Sequence, residues 1–188
     1  VAGSRPRGKD EKEDDALVAD LMSDEKELSE HNMLVDLGRN DLGRISQYGS
    51  VEVTKYQMIH KYSKIMHICS QVESNIRPDM DSLDAIKSVL PAGTLSGAPK
   101  IRACEIIDEL EPVPRGIYGG ALGYVDFGGN MDTCIAIRMA VKKNNKVYVQ
   151  AGGGIVADSV PANEYQESAN KAKAVMLAIE NAKEAVRI

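Results

Sequence analysis

The sequence has 188 residues, of which 43% are hydrophobic, and its formal net charge is −5 at pH 7. This length suits one sizeable domain or two small ones, and the mixed charges exclude a basic nucleic-acid-binding face. No apolar run approaches the roughly 20 residues that a membrane helix needs, so we expect neither nucleic acid nor a membrane as partner. The odd, widely spaced cysteines indicate neither a disulfide framework nor a zinc site, and favour a reducing cytoplasm.

The first half of the chain predicts a short strand, two helices and a β region. Residues 1–8 are typical of a strand end and turn, and the charged stretch from Lys9 leads into a helix through about Met22. Apolar spacing predicts a second helix over Asp24–Leu42 with Gly43 as its stop, and residues 50–74 alternate as strands do.

The second predicted helix carries acidic groups beside apolar ones. Glu27, Glu30, His31 and Leu34 follow the i, i+3, i+4, i+7 spacing of one helix face. On a solvated helix two such carboxylates are ordinary. On a stripe that includes Leu34 they indicate carboxylates at the edge of a core.

One histidine of the β region has two interpretations. The alternation places His67 on the face shared by Ile65 and Cys69. A lone histidine on an apolar face is more often a core residue than a catalyst. The sequence pattern alone leaves both roles open.

The second half predicts helices first and strands afterwards. Residues 81–90 form a short predicted helix that Pro91 ends, residues 91–100 a loop with exposed hydroxyls, and Pro99 the start of a helix over residues 100–110. Three strand-like runs then predict an antiparallel meander joined by hairpin turns. They span residues 117–127, 131–141 and 146–156.

The closing helix is predicted to pack an apolar face on this meander. The residues of that face are Ala172, Val175, Met176 and Ile179. Because strands and helices follow one another without a βαβ rhythm, the predicted fold class is α+β.

The stretch AGGGIVADSVPANEYQESANK, residues 151–171, combines a glycine loop with a helix start. Gly152, Gly153 and Gly154 allow the backbone to approach a ligand closely. Pro161 suits a first helical turn, with Asp158 or Ser159 as the cap.

Glu164 and Glu167 share one face of that helix, and Lys171 continues it. The pattern predicts an anion pocket lined by backbone beside a paired-carboxylate site for a metal or for acid catalysis. The alternative is a plain loop followed by first-turn acids that only complement the helix dipole.

Four ordered blocks resemble the chorismate-utilising enzymes, and within them the anthranilate-forming branch. They are DEKELSEHNMLVDLGRNDLGRI, PAGTLSGAPKIRACEIIDELEP, RGIYGGALGYVDFGGNMDTCIAIRM and AGGGIVADSVPANEYQES. The resemblance covers essentially the whole chain. It implies that residues 1–188 are the C-terminal part of a chorismate-binding domain.

The resemblance also implies a magnesium site. Glu30 and Glu167 would bind Mg²⁺ directly, and Glu27 and Glu164 would act through water. Such a set suits Mg²⁺, which uses few carboxylates and keeps several waters.

Substrate contacts follow from the same resemblance. Tyr118 and Arg138 would hold the enolpyruvyl carboxylate, together with the backbone of Gly152–Gly154. His67 and Thr94 would line the ring, His67 in the pyruvate elimination. Lys171 would lie near the substrate carboxylates.

The implied activity is that of a lyase of tryptophan biosynthesis. Chorismate reacts with ammonia, free or from a glutamine amidotransferase subunit, to give anthranilate and pyruvate. The alternatives are aminodeoxychorismate synthase component I of the folate pathway and a non-catalytic truncated chain, while isochorismate and salicylate synthases fit the loops less well. Because the chain starts abruptly at Val1, we expect it to be inactive alone, and either to self-associate or to have disordered N-terminal helices.

Overall fold

A computed structural model describes residues 1–157 and 159–185. Helices and antiparallel strands alternate irregularly along this part of the chain, as the predicted α+β class requires. In order the elements are β1 (Ser4–Pro6), α1 (Glu11–Ser23), α2 (Glu25–Gly43), β2 (Glu52–Lys61), β3 (Ile65–Glu73), α3 (Ser82–Val89), α4 (Gly93–Ser96), α5 (Lys100–Leu110), β4 (Ala121–Val125), β5 (Met131–Ile135), β6 (Ala140–Lys143), β7 (Lys146–Val149) and α6 (Pro161–Ala185).

The core lies between the first sheet and the first two helices. The sheet has the strand order β1-β3-β2 and is antiparallel throughout. Met66 and Ile68 of β3 are fully buried against Leu21 of α1. Because side chains alternate along a strand, His67 and Cys69 lie on the opposite, half-buried face, so the face that carries His67 is not the core face.

Side-chain caps explain where the early helices begin. Asp24 accepts hydrogen bonds from the backbone N–H groups of Lys26 and Glu27, both at 3.1 Å, and so starts α2 close to the predicted residue. Asp81 and Asp84 form a reciprocal capping box at the start of α3.

The segment predicted as a loop contains a helical turn. In α4 the backbone N–H groups of Leu95 and Ser96 donate to the carbonyl of Ala92 at 2.9 and 3.0 Å. A side chain at Gly93 would collide with Leu37, so glycine lets α4 approach α2 closely. The loop prediction missed this turn because four residues are too few to show a helical period.

The predicted meander is wrong as one continuous sheet. The strands form two separate hairpins, β4–β5 and β6–β7. The middle run breaks at residues 136–139, where Arg138 adopts a left-handed φ of 54°, outside the range of regular strand. The turn prediction for the second hairpin is confirmed, because Asn144 and Asn145 have φ values of 52° and 59°, as a type I′ turn requires.

The closing helix packs less completely than predicted. Ala172, Val175 and Ile179 are half-buried, but Met176 is 51% exposed. The cap prediction for Asp158 lies outside the described residues.

Both hairpins leave large apolar side chains exposed. These include Leu122, Tyr124, Phe127 and Tyr148. No helix among the described residues is long and apolar enough to cross a membrane.

Candidate active site

The glycine loop between β7 and α6 lies against carboxylates from two helices. A Cβ atom on Gly154 would lie 3.4 Å from Oε1 of Glu30, which belongs to α2. A Cβ atom on Gly153 would lie 3.4 Å from Oε2 of Glu164 and 4.0 Å from Oε1 of Glu167, both on α6. The structure therefore brings three of the four predicted acidic residues to one loop.

Two lysines balance these charges. Lys26 Nζ lies 3.5 Å from Glu164 Oε1, and Lys171 pairs with Glu167. Lys171 also donates to the Gly152 carbonyl at 3.3 Å. A hydrogen bond with the Ser159 side chain, together with the Lys26 ammonium, lowers the pKa of Glu164.

Glu27 faces a different environment one turn earlier on α2. A Cβ atom on Gly3 would lie 3.3 Å from its Oε2, and Arg5 Nη1 lies 3.9 Å from its Oε1. Burial raises the pKa of Glu27, and the nearby charges of Asp24 and Glu30 add to that effect while Arg5 opposes it. Glu27 is thus a carboxylate that a further positive charge would stabilise.

The acidic residues suit Mg²⁺ by their chemistry. All four offer hard oxygen donors, and the pKa of Glu27 is raised mainly because burial disfavours its charged form, which a bound cation would favour. Among the described residues, however, no three His, Cys, Asp or Glu side chains already stand close enough together to hold a metal ion. In this structure the ammonium groups of Lys26 and Lys171 supply the positive charge beside Glu164 and Glu167.

Tyr118 reaches the same loop from the β4 side. Its hydroxyl lies 3.5 Å from the position of a Cβ atom on Gly152. Arg138 is exposed on the segment between β5 and β6. The Gly119 N–H donates to the Ala136 carbonyl at 3.0 Å. This hydrogen bond joins the segment that contains Tyr118 to the segment that contains Arg138.

His67 and Thr94 lie near β1 and α2 instead. His67 Nδ1 is 3.2 Å from the Gly3 carbonyl oxygen. Thr94 is exposed on α4 and lines a cavity of about 220 Å³ that α2 also lines, including His31 and Asp41. The contacts of these two residues therefore do not join them to the glycine loop.

Sequence reasoning gave no role to three polar groups near these sites. Lys26 could have been found, since it precedes Glu30 by four residues and so shares its helix face. Buried His31 and the buried Asp41–Lys100 ion pair depend on contacts distant in sequence, which no local pattern reveals.

A family model described as chorismate binding enzyme matches residues 1–177. The chain belongs to this family. It is 59% identical over 186 residues to anthranilate synthase component 1 of Pseudomonas aeruginosa. The aligned region covers 99% of this chain and 38% of that protein. It is 56% identical over 184 residues to anthranilate synthase component 1 of Aquifex aeolicus, covering 98% of this chain and 37% of that protein. The chain thus spans less than two fifths of these curated relatives.

Solved structures of chorismate-utilising enzymes have the same fold. Anthranilate synthase component I from Streptococcus pneumoniae TIGR4 superposes with a TM-score of 0.84 at 56% identity, over 87% of this chain and 38% of that one. The menaquinone-specific isochorismate synthase of Escherichia coli gives a TM-score of 0.82 at 27% identity, over 93% and 40%. The family resemblance and the α+β fold inferred from the sequence are confirmed.

Proposed function

We propose that this chain supplies catalytic residues of an anthranilate synthase component I. The observation that carries the proposal is the meeting of Tyr118, Glu30 and the α6 carboxylates at one glycine loop. An identity of 59% with the Pseudomonas aeruginosa protein supports the anthranilate-forming activity over other reactions of the family. The reaction is that of a lyase, in which chorismate and ammonia give anthranilate, pyruvate and water.

The acidic residues provide the metal site of this proposal. Glu30 and Glu167 would hold Mg²⁺ directly, while Glu27 and Glu164 would act through water. A bound Mg²⁺ would supply positive charge beside the ring carboxylate of chorismate and so favour displacement at the ring. Lys26 and Lys171 hold the α6 carboxylates in place before the metal arrives, because their ammonium groups already pair with Glu164 and Glu167.

The opposite end of the substrate carries the enolpyruvyl carboxylate. Arg138 binds it with two parallel N–H donors, and Tyr118 adds its hydroxyl. The backbone N–H groups of Gly152–Gly154 and the ammonium of Lys171 add positive potential beside it. A Cβ atom at Gly153 or Gly154 would lie in van der Waals contact with the carboxylates, so glycine leaves the most room for a ligand at this loop.

His67 acts in the elimination of pyruvate, with Thr94 beside the ring. The Gly3 carbonyl can only accept a hydrogen bond, so Nδ1 of His67 carries the hydrogen. In the neutral ring Nε2 then keeps its lone pair. His67 can therefore take a proton through Nε2 while the Gly3 carbonyl keeps the ring oriented.

The ammonia comes from solution or from a glutamine amidotransferase subunit. The protein works in the cytoplasm, as three cysteines without a disulfide allow. Synthesis of aminodeoxychorismate uses the same two substrates, so the product decides between these activities.

A product assay tests the proposal. The protein that contains this chain is incubated with chorismate, ammonium and Mg²⁺, and the products are separated by chromatography. We expect anthranilate and pyruvate in equal amounts, and their loss in Glu167→Gln. Glu105→Gln, which changes an exposed glutamate on α5, is the matched control and should remain active.

Two other outcomes contradict the proposal. Accumulation of 4-amino-4-deoxychorismate without pyruvate assigns the chain to the folate branch. Turnover in Glu167→Gln equal to that of the control removes Glu167 from the metal site.

A further inference from the structure

His31 is a buried polar side chain between α2 and the first sheet. It is 2% exposed. Its Nδ1 lies 3.1 Å from the Ala2 carbonyl oxygen, and its Nε2 lies 2.6 Å from Ser70 Oγ on β3. Both ring nitrogens therefore have partners, one just before β1 and the other on β3.

The partners fix the direction of each hydrogen bond. A carbonyl only accepts, so Nδ1 of His31 donates to Ala2. In the neutral ring Nε2 must then accept, and the Ser70 hydroxyl donates to it. Ser70 Oγ in turn accepts from the Gln57 backbone N–H at 2.9 Å. The result is a relay of three hydrogen bonds running from Gln57 through Ser70 and His31 to Ala2.

The relay begins at an irregular point of β2. The pairing of β2 with β3 shifts register between Lys55 and Met58, and Gln57 has a left-handed φ of 51°. A residue other than glycine is strained in this region, so the surrounding contacts must maintain it. The irregularity turns the Gln57 N–H towards Ser70.

The same irregularity also binds the next residue of α2. The Gln57 side chain donates to Asn32 Oδ1 at 3.0 Å, and the Tyr56 hydroxyl donates to the same oxygen at 2.7 Å. Asn32 of α2 is thus held directly by Tyr56 and Gln57 of β2, and its neighbour His31 is held through Ser70 of β3. Two adjacent anchors fix both the rotation and the height of a helix, since successive residues point about 100° apart.

We propose that His31 is a positioning residue, and that the relay from Gln57 through Ser70 and His31 holds Glu30 against Gly154. Glu30 directly precedes His31, so any rotation of this turn moves its carboxylate away from the glycine loop. Only the metal-binding arm of the test below rests on the proposed function. The positioning itself is a property of the described contacts.

A serine pair allows a matched test. Ser70→Ala removes the central hydroxyl of the relay. Ser46→Ala is the control, since the Ser46 hydroxyl likewise links α2 to the segment after β3: it lies 2.6 Å from the Leu42 carbonyl oxygen at the other end of α2 and 2.7 Å from Ser74 Oγ. Both variants lose a hydrogen-bonded hydroxyl, and only one of them touches the relay. Ser70→Thr restores the hydroxyl and serves as the rescue variant.

Nuclear magnetic resonance gives readouts that need no metal. In the parent we expect His31 to carry its hydrogen on Nδ1, and Overhauser contacts to join the Glu30 side-chain methylenes to the Gly154 α protons. Ser70→Ala should weaken those contacts and speed exchange of the Gln57 amide, while Ser46→Ala and Ser70→Thr should preserve both. Equal Glu30–Gly154 contacts in Ser70→Ala and Ser46→Ala, or an Nε2–H tautomer in the parent, overturn the proposal.

Mn²⁺ binding measured by electron paramagnetic resonance provides the second readout. Loss of a group that orients a metal ligand typically weakens affinity by about 10–100-fold, so we expect that change in Ser70→Ala alone. Equal Mn²⁺ affinity in Ser70→Ala and Ser46→Ala overturns the positioning role. A parent that binds no Mn²⁺ contradicts the proposed metal site, and the resonance contacts then decide the positioning role by themselves.

Discussion

Replacing Lys100 by methionine should destabilise the protein strongly. Lys100 Nζ lies 2.7 Å from Asp41 Oδ2 and 3.1 Å from the Val89 carbonyl oxygen. The two charged side chains are only 8% and 6% exposed. The second oxygen, Asp41 Oδ1, is buried and has no hydrogen-bond partner among the described residues. Lys100→Met keeps the length of the side chain but leaves a buried carboxylate without any cation.

The size of the effect follows from the burial. Breaking a buried ion pair on one side costs about 3–5 kcal/mol, because the remaining charge stays desolvated. For a chain of this size each kcal/mol shifts the melting temperature by about 2–4 °C, so we expect a fall of about 6–20 °C. Thermal unfolding followed by circular dichroism measures it.

Two further variants make this experiment decisive. Lys87→Met breaks the pair with Asp84, in which Lys87 is 73% exposed, and should cost at most about 1 kcal/mol. The double variant Asp41→Leu, Lys100→Met should recover most of the loss, since no buried charge remains. On the same scale, a melting temperature of Lys100→Met within about 2 °C of that of Lys87→Met would mean that the Asp41 carboxylate is not desolvated. That result would refute the reasoning.

Three other predictions concern single side chains. In the protein that contains this chain, Arg138→Lys should lower kcat/KM for chorismate by about 10–100-fold, because a point charge replaces a two-pronged contact. Unchanged steady-state kinetics would contradict the assignment of Arg138 to the enolpyruvyl carboxylate. His67→Met should fold normally and accumulate the aminated intermediate, seen by chromatography, whereas a core role would lower the melting temperature and leave pyruvate release intact. A hydrogen bond from Arg7 lowers the pKa of Asp14 to about 2, below its value in the unfolded chain. The ionised Asp14 therefore stabilises the folded state fully above about pH 4, and this contribution disappears as the pH falls through 2. Asp14→Asn should therefore melt below the parent at pH 7 and converge with it near pH 2; a gap independent of pH would disprove the linkage.

Local patterns predicted the elements that local chemistry determines. The apolar period predicts the second helix over Asp24–Leu42, and in the structure Asp24 is the cap and α2 begins one residue after it. The approach of α2 and α6 carboxylates to one loop was not derivable from spacing, since two separate helices can face any direction. The resemblance to a known family supplied that pairing.

The errors came from contacts that no short window contains. The left-handed Arg138 breaks the run 131–141, whose apolar pattern resembles a strand, and no residue of that run marks the break. His31 was assigned to a helix stripe without a role, because its partners Ala2 and Ser70 lie 29 and 39 residues away. Burial of such a group depends on tertiary packing rather than on helix period.

The order of folding follows from the ion pair between α2 and α6. Lys26 and Glu164 are 138 residues apart, and closing a loop of that length costs about 4 kcal/mol of chain entropy. A single ion pair whose lysine is half exposed cannot offset this alone, so we expect α6 to join the site only after the intervening hairpins have formed. During synthesis on the ribosome, Glu27 and Glu30 emerge long before their partners on α6. The nascent chain therefore carries only the α2 half of the proposed metal site until α6 has been made, and the full carboxylate set of that proposal can assemble only after α6 has been translated.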